Sequence, residues 1–538
     1  MVGVCALLLV ALVQRGGGRE DSVAEQVRRR LETASVSIHA NRTLLGFYSR
    51  RAFRAAWSNE HGPNRLADDL VDAIGRADLD GLDPEDYHLT RIRQLLDAVR
   101  DDAANGRPSD LERVADLDVL LSDAFLLFGS HLLSGRVDPE TLHPLWDANR
   151  RGADLATALD EALASRKIAR ALRRLAPTDD GYQRLREALV RERILAHLGG
   201  WPSLPSGPVS PELLQTRLEL EGDWNTGGGD SLSVALRRFQ QRHGLETTGI
   251  VDSETRAELN VPAQTRVDQL RLNLERWRWL PQDLGHRRIM VNIAAQELQV
   301  IEDDEVVLWM RVVVGREYKR TPVFSDTVRY IVLNPNWHVP TSIAAEELIP
   351  RIRKDSTYLE RFGMRLLTAG PDAQEVDPRT VDWSGVSADS FPYRLRQEPG
   401  RLNALGRMKF MFPNRYDIYL HDTPSRSLFS SAQRDFSHGC IRIEKPVELA
   451  VYLMKKSKWN RDEIERALDE GTERTIYLPR PVSVHLLYWT AWADEDGTIQ
   501  FRADINGVDQ ALTAALGAPL TMSGSTAKLD VREARTRR

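Results

Sequence analysis

Residues 416–424 read Y-D-I-Y-L-H-D-T-P, and residues 437–446 read S-H-G-C-I-R-I-E-K-P. Cys440 is one of two cysteines in the chain. A single cysteine close to two histidines points to a thiol nucleophile served by a nitrogen base. A free thiol titrates near pH 8.5, so only a few per cent is thiolate at neutral pH. A histidine that takes the thiol proton raises the reactive fraction, and the imidazolium then protonates a leaving amine. Gly439 has no side chain, so a substrate carbonyl can approach its backbone closely. The Gly439 and Cys440 N–H groups are candidate donors to a developing oxyanion. Tyr419 and His421 are two residues apart, which puts both on one face of a strand. Arg442 suits a bidentate pair with a substrate carboxylate. Spacing alone leaves two plainer readings open. Cys440 also fits a buried structural thiol, although His438 and Ser437 beside it argue against an apolar pocket. His421 also fits a strand-end histidine bonded to backbone.

Working outward, period-two runs predict strands at Ile289–Ala294, Glu297–Ile301, Val306–Val314 and Tyr330–Leu333, with a hairpin at Asp303-Asp304. Thr341–Arg365 returns to helical spacing, Leu366–Gly400 is loop-rich, and strands resume at Lys409–Phe412 and Asp417–Leu420. Val447–Lys456 reads as a helix after Pro446, and Val482–Trp492 and Thr498–Phe501 as strands. Upstream, residues 21–200 read mostly helical, with Asp118–Leu133 apolar at helical spacing and Asp83-Pro84 a helix start. His39, His61, His88, His131 and His143 are scattered there and signal no reaction site. Gly199–Pro211 reads as a linker. A unit of three helices follows it, whose last helix has Ser253 as its expected N-cap. Arg256 stands where a capping box needs an acid or amide.

Composition sets the outer bounds. The chain has 538 residues, 28% of them charged, and 73 basic against 78 acidic side chains. The net charge of -5 gives no basic excess, so nucleic acid is not an expected partner. Two cysteines exclude a disulfide framework and any multi-cysteine zinc site, and neither H-E-x-x-H nor C-x-x-C occurs. No metal or organic cofactor is expected. Val2–Val13, which contains Cys5, is almost wholly apolar and too short to span a bilayer comfortably. It reads as an export signal or an N-terminal membrane anchor, although no basic residue precedes it.

The pair S-H-G-C-I-R and upstream H-D-T-P resembles the signature of the L,D-transpeptidase (YkuD-like) catalytic domain. The segments L-N-P-N-W-H-V-P-T-S-I (333–343), N-A-L-G-R-M-K-F-M-F-P-N (403–414), F-Y-S-R-R-A-F-R-A-A-W (47–57) and A-D-L-D-G-L-D-P-E-D-Y-H-L (77–89) resemble the large multidomain, YcbB-type branch. F-Q-x-x-H-G-L followed by T-G-x-V-D resembles a peptidoglycan-binding domain. The resemblance implies an α+β multidomain chain. Its expected parts are a leader at 1–20, a helical scaffold at 21–204, a three-helix peptidoglycan-binding domain at 205–265 and a connector at 266–287. A mainly β catalytic domain at 288–510 and a tail at 511–538 follow, with a helical and loop cap inserted at about 341–407. Carried over residue by residue, Cys440 resembles the nucleophile and His421 the base. The backbone carbonyl of Asp422 matches the group that orients that histidine. His438, Gly439 and Tyr419 match positions lining the oxyanion and acyl-donor site, beside Ser437 and Arg442. His338 stands where the family pattern has Asn, and Asp504-Ile505-Asn506-Gly507 lacks the aromatic usual after the Ile.

The implied activity is 3→3 cross-linking of peptidoglycan stem peptides through a thioester, with D-alanine released. The implied partners are stem peptides, glycan and carbapenems as covalent inhibitors. The implied place is the periplasm. A hydrolase on the same fold shares every one of these residues. A non-catalytic wall-binding protein would rest on residues 206–262 alone. A papain-like protease needs its histidine far downstream of the cysteine, whereas His421 precedes Cys440.

Overall fold

The computed structural model describes residues 22–518 except 34–37, 60–61, 109, 143, 148–149, 225–228, 230 and 387–390. The leader with Cys5, His61, His143 and the tail beyond 518 therefore lie outside the described residues. The chain is α+β and divides into two compact units. One comprises 1–144, 148–282 and 490–538, and the other 145–147 and 283–489.

The first unit is helical and built around Leu111–Ser134. This helix is long and apolar enough to cross a membrane, yet its apolar stretch is buried inside the unit. The reason lies in its polar residues. The Asp118 carboxylate accepts from Ala56 N–H (2.8 Å), Trp57 N–H (2.8 Å) and Tyr48 O–H (2.7 Å). Asp123 accepts from His39 and Ala40 N–H at 3.0 and 2.8 Å. A soluble core helix meets the backbone of neighbouring segments in this way, because buried donors need partners. Asp83 caps a short 3-10 helix, Pro84–Tyr87, as expected.

The peptidoglycan-binding-like segment is three helices, Pro211–Leu220, Leu232–Arg242 and Ser253–Leu259. They close over Leu218, Ala235, Leu236, Phe239 and Leu259. The N-cap of the last helix is Asp252, whose carboxylate accepts from Thr255 N–H, and not Ser253. The expected catalytic boundary at 510 also shifts. Thr490 N–H donates to Asn273 Oδ1 (3.0 Å), and its carbonyl accepts from Gln269. These bonds tie residues from 490 onward to the helix Ala263–Arg278 in the first unit.

The second unit is a mixed sheet of nine strands. In spatial order these are Met408–Met411, Leu420–His421, Ile441–Ile443, Glu305–Val313, Glu297–Glu302, Arg287–Asn292, Arg474–Leu487, Val323–Leu333 and Trp146–Asp147. Met408–Met411 also pairs with Val323–Leu333, so eight strands close into a barrel. Closure removes the exposed edges that an open sheet would carry. The hairpin at Asp303-Asp304 forms with both residues at positive φ (53° and 67°), the two-residue turn that matches strand twist.

The insertion departs from the helical and loop reading. Glu375–Val376, Met364–Thr368, Tyr393–Gln397 and Trp337–His338 form a four-stranded antiparallel sheet. The cap therefore begins at Trp337, before 341, and Leu366–Gly400 supplies strands. Arg394 and Arg396 alternate with a buried Leu395, a pattern too short and too charged to stand out in sequence. Helical turns from Thr341 to Lys354 pack Ala344, Leu348 and Ile352 onto that sheet. The stretch Ala344–Leu348 is π-helical. It runs directly into Pro350, which has no N–H to continue the α-helical ladder.

Candidate active site

The two motif segments meet as parallel neighbours. Asn414 first turns the chain: its Nδ2 donates to the Phe412 and Ile418 carbonyls (both 2.7 Å), and its Oδ1 accepts from Tyr416 N–H (2.9 Å). Leu420–His421 then runs beside Met408–Met411, with Lys409 opposite His421. On its other side it pairs with Ile441–Ile443, Leu420 opposite Ile441 and His421 opposite Arg442. Ile441 N–H donates to the Tyr419 carbonyl (3.1 Å). This register sets Tyr419 beside Cys440, although 20 residues of chain separate the two strands' motifs.

The turn carrying Cys440 is fixed by its own hydroxyls. Ser437 Oγ donates to the Cys440 carbonyl (2.6 Å) and accepts from Gly439 N–H (3.1 Å). Thr321 Oγ1 donates to the Gly439 carbonyl (2.8 Å) and accepts from Gly315 N–H (2.9 Å). Gly439 has φ +115°, and a Cβ there would stand 3.3 Å from Ile418 Cδ1. No larger residue fits that backbone without strain. One expectation changes here. Gly439 N–H already has Ser437 Oγ as its acceptor, so it is not a free oxyanion donor. Among the described residues the Cys440 N–H has no acceptor.

Around the half-buried Cys440 sulfur, burial pushes the thiol pKa up. Backbone and side-chain hydrogen bonds from Tyr419, and then the charges of Lys409 and Arg442, pull the other way. The thiol in turn donates to the Asp417 carbonyl at 3.7 Å. The Tyr419 phenol is raised as well, by burial first and the neighbouring sulfur second. Its ring meets His421 edge-on, 5.7 Å between centroids.

His421 is 4% exposed. Its Nδ1 lies 2.6 Å from the Asp422 carbonyl. A carbonyl only accepts, so Nδ1 carries the proton and Nε2 keeps its lone pair. Burial, followed by the charge of Arg442, lowers the imidazole from 6.5 to about 3. The ring is therefore neutral at any ordinary pH, as a base must be. The Asp422 carboxylate is occupied elsewhere, accepting from Arg407 N–H (2.9 Å) and Arg426 Nη1 (3.1 Å).

His438 Nε2 lies 2.5 Å from Glu347 Oε1, so the π-helical turn of the cap grips the loop that carries Cys440. The Arg442 side chain makes no hydrogen bond or ion pair among the described residues, and its Nε is buried without a partner. Burial and the nearby Arg316 lower its pKa. An unpaired guanidinium at this point is a ready anchor for an anion.

The structure thus brings together Cys440, His421, Tyr419, Asp422, Ser437, His438, Gly439 and Arg442. Sequence reasoning missed Lys409, Thr321 and Glu347. Lys409 carried one available signal, a lone lysine in the expected strand Lys409–Phe412. Thr321 and Glu347 carried none.

Family models match three parts of the chain: a scaffold domain at 42–189, a peptidoglycan binding domain at 212–259 and an L,D-transpeptidase catalytic domain (YkuD) at 286–472. A relative from Haemophilus influenzae, named "Putative L,D-transpeptidase", is 36% identical over 247 residues, 46% of this chain and 49% of the relative. The chain thus spans about half the length of that relative. An L,D-transpeptidase from Mycobacterium smegmatis is 14% identical over 37% of this chain and 58% of its own, with a TM-score of 0.18. One from Stackebrandtia nassauensis is 12% identical over 57% and 90%, with a TM-score of 0.19. At those scores neither structure carries an argument. The three domain matches and the relative make the chain similar to multidomain L,D-transpeptidases and support that family for it.

Proposed function

We propose that the chain is a peptidoglycan L,D-transpeptidase that makes 3→3 cross-links through a thioester on Cys440. The observation that supports this most is the strand register, which sets Cys440, just ahead of Ile441–Ile443, beside Tyr419, just ahead of the strand of the neutral His421. In the first half-reaction the Cys440 sulfur attacks the carbonyl of the third residue of a tetrapeptide stem. His421 Nε2 takes the thiol proton. The C–N bond to terminal D-alanine breaks, and the departing amine receives that proton. The negative charge on the carbonyl oxygen is met by the Cys440 N–H, with the Tyr419 hydroxyl alongside. In the second half-reaction the side-chain amine of another stem attacks the thioester, and His421 takes and returns the proton again. Arg442 pairs with a substrate carboxylate, and the peptidoglycan binding domain holds the polymer. The place of action is the periplasm, which the apolar run at Val2–Val13 supports as an export signal or anchor.

Intact mass after incubation with a carbapenem is the decisive test. One added drug mass on the wild type and none on Cys440→Ala is the expected result. A tetrapeptide substrate should then give D-alanine and a cross-linked dimer. Tripeptide without dimer would assign hydrolysis instead. A folded wild type that takes up no drug would leave a wall-binding protein.

A further inference from the structure

Lys409 is a charged side chain that the mechanism above does not use. Its strand position fixes it opposite His421 on one side and opposite Val332 on the other. Its Nζ sits 4.7 Å from the centroid of the Tyr419 ring. Tyr419 in turn is held next to Cys440 by the strand register, its carbonyl accepting Ile441 N–H at 3.1 Å. The lysine is half-buried, and no carboxylate lies within ion-pair distance of it among the described residues. A lysine in that setting loses hydration without gaining a salt bridge. Something else must make the position favourable, and the face of an aromatic ring is one such surface.

We propose that Lys409 is the positioning cation of the Cys440 thiol, holding the Tyr419 phenol against the sulfur and favouring the thiolate by its charge. The proposal deepens the transpeptidase reading and rests on it only in taking Cys440 as the nucleophile.

The surrounding charges decide how much Lys409 can contribute. His421 is neutral and supplies no positive charge to the sulfur. Arg442, on the adjacent strand, acts in the same sense as Lys409 but ranks behind it at the thiol. Asp417 faces the Tyr419 side. Among the described residues, Glu473 is the carboxylate whose charge is felt at Lys409, and it accepts from Asn336 Nδ2 at 2.9 Å. Burial lowers the lysine from its usual value, while Glu473 and the Cys440 sulfur oppose that. Lysine and thiolate therefore stabilise each other. The resting pair of neutral imidazole and thiol leaves this cation as the leading charge that eases ionisation. A lysine that merely covers the ring would affect packing and leave the titration of the thiol alone.

The test follows alkylation of the full-length chain by iodoacetamide, read by mass on the peptide containing Cys440, so that Cys5 does not interfere. Rates are taken across the neutral to alkaline range. Lys409→Met and Lys409→Gln should each raise the apparent thiol pKa by about one pH unit and slow alkylation at neutral pH by about tenfold. Lys409→Arg should restore most of the wild-type profile. A folded Met or Gln variant that titrates with the wild type overturns the proposal. If both neutral variants fail to fold, Lys409 is structural and the proposal is equally overturned. Alkylation needs no wall substrate. A wild type that alkylates normally yet takes up no carbapenem would sink the transpeptidase reading and leave the lysine result to stand or fall by itself.

Discussion

His131 and His421 are both buried imidazoles lowered from 6.5 to about 3, burial being the first cause in each. His131 lies on the core helix of the helical unit with its Nδ1 3.0 Å from the Tyr87 hydroxyl. His421 lies in a barrel strand with one nitrogen tied to a carbonyl and the next strand bearing a thiol at its entrance. The two units treat arginine just as differently. Arg278 of the helical unit donates to the Asp80 carbonyl (2.8 Å), Tyr182 Oη (3.1 Å) and Glu275 Oε2 (2.7 Å). Arg442 of the catalytic unit has no such partner. Burial thus serves different ends. Where neighbours bind the guanidinium, as at Arg278, it holds the fold together. Where they leave capacity over, the cost of desolvation is carried in exchange for a site that can act.

The largest effects should separate the two histidines. His421→Asn should cut acylation of Cys440 by about 10²–10⁴-fold with little change in melting temperature, since it removes the base. His131→Asn should do the reverse, costing about 1–3 kcal/mol of stability by stranding a buried phenol. Carbapenem acylation rates beside melting curves check both. A His131 variant that is stable but inactive would break the contrast.

The arginines come next. Arg278→Met should destabilise by about 3–5 kcal/mol, because it strands the buried Glu275 carboxylate. Arg442→Met removes a cation that has no partner to strand. Its stability should be unchanged or slightly higher, while KM for a carboxylate-bearing stem peptide rises. Urea titrations of each variant, set against substrate kinetics for Arg442→Met, decide this. A large loss of stability in Arg442→Met would show that the side chain is paired after all.

How much of this was legible follows from the range over which each signal acts. Cys440, His421 and the Asp303-Asp304 hairpin announce themselves within a few residues, so chemistry and turn geometry could be read directly. The core helix was readable from its period, but the role of Asp118 was not. That role depends on Ala56 and Trp57, some 60 positions earlier. The cap sheet escaped because its strands are short, charged on one face and closed by Trp337–His338 from outside the expected insertion. The Gly439 N–H was misread because Ser437 Oγ, two residues away, claims it. Local spacing lists candidate donors, and only packing shows which are already in use.

Acid should also tell the units apart. His421 and His485 of the catalytic unit titrate below their ordinary value when folded, as do His131 and His243 of the helical unit. Such a group is neutral in the folded protein while the unfolded chain takes up a proton. Its contribution is intact above pH 6.5 and lost progressively as pH falls below it. Each costs at most about 1.4 kcal/mol per pH unit in that range. The helical unit has an offset. Glu192 is raised to about 7, so it favours folding as pH falls from 7 towards 4.5. Asp118 and Asp223 are raised too and act in the same sense at lower pH. On acidification from pH 7 to 5, peptides from 283–489 should gain hydrogen exchange before peptides from 111–282. The opposite order would mean that the buried carboxylates do not offset the histidines of the helical unit.

The smallest effect concerns Glu347, whose carboxylate joins the cap to the loop of Cys440 through His438. Both side chains are partly exposed, at 20% for His438 and 29% for Glu347, so solvent screens the pair. A screened polar contact of this kind is worth about 1 kcal/mol, or about fivefold in a rate it controls. Glu347→Ala should therefore slow acylation of Cys440 by about that factor and lower the melting temperature by no more than about 2–4 °C. Glu347→Gln keeps a hydrogen-bond partner at the same reach and should fall between it and the wild type. The Gln variant also tests whether charge or contact matters. If it matches the wild type, the cap needs only to touch His438. If it matches Ala, the carboxylate itself holds the ring. If neither variant changes the rate, the cap takes no part in acylation, and the active site is complete within the barrel strands and the loop they carry.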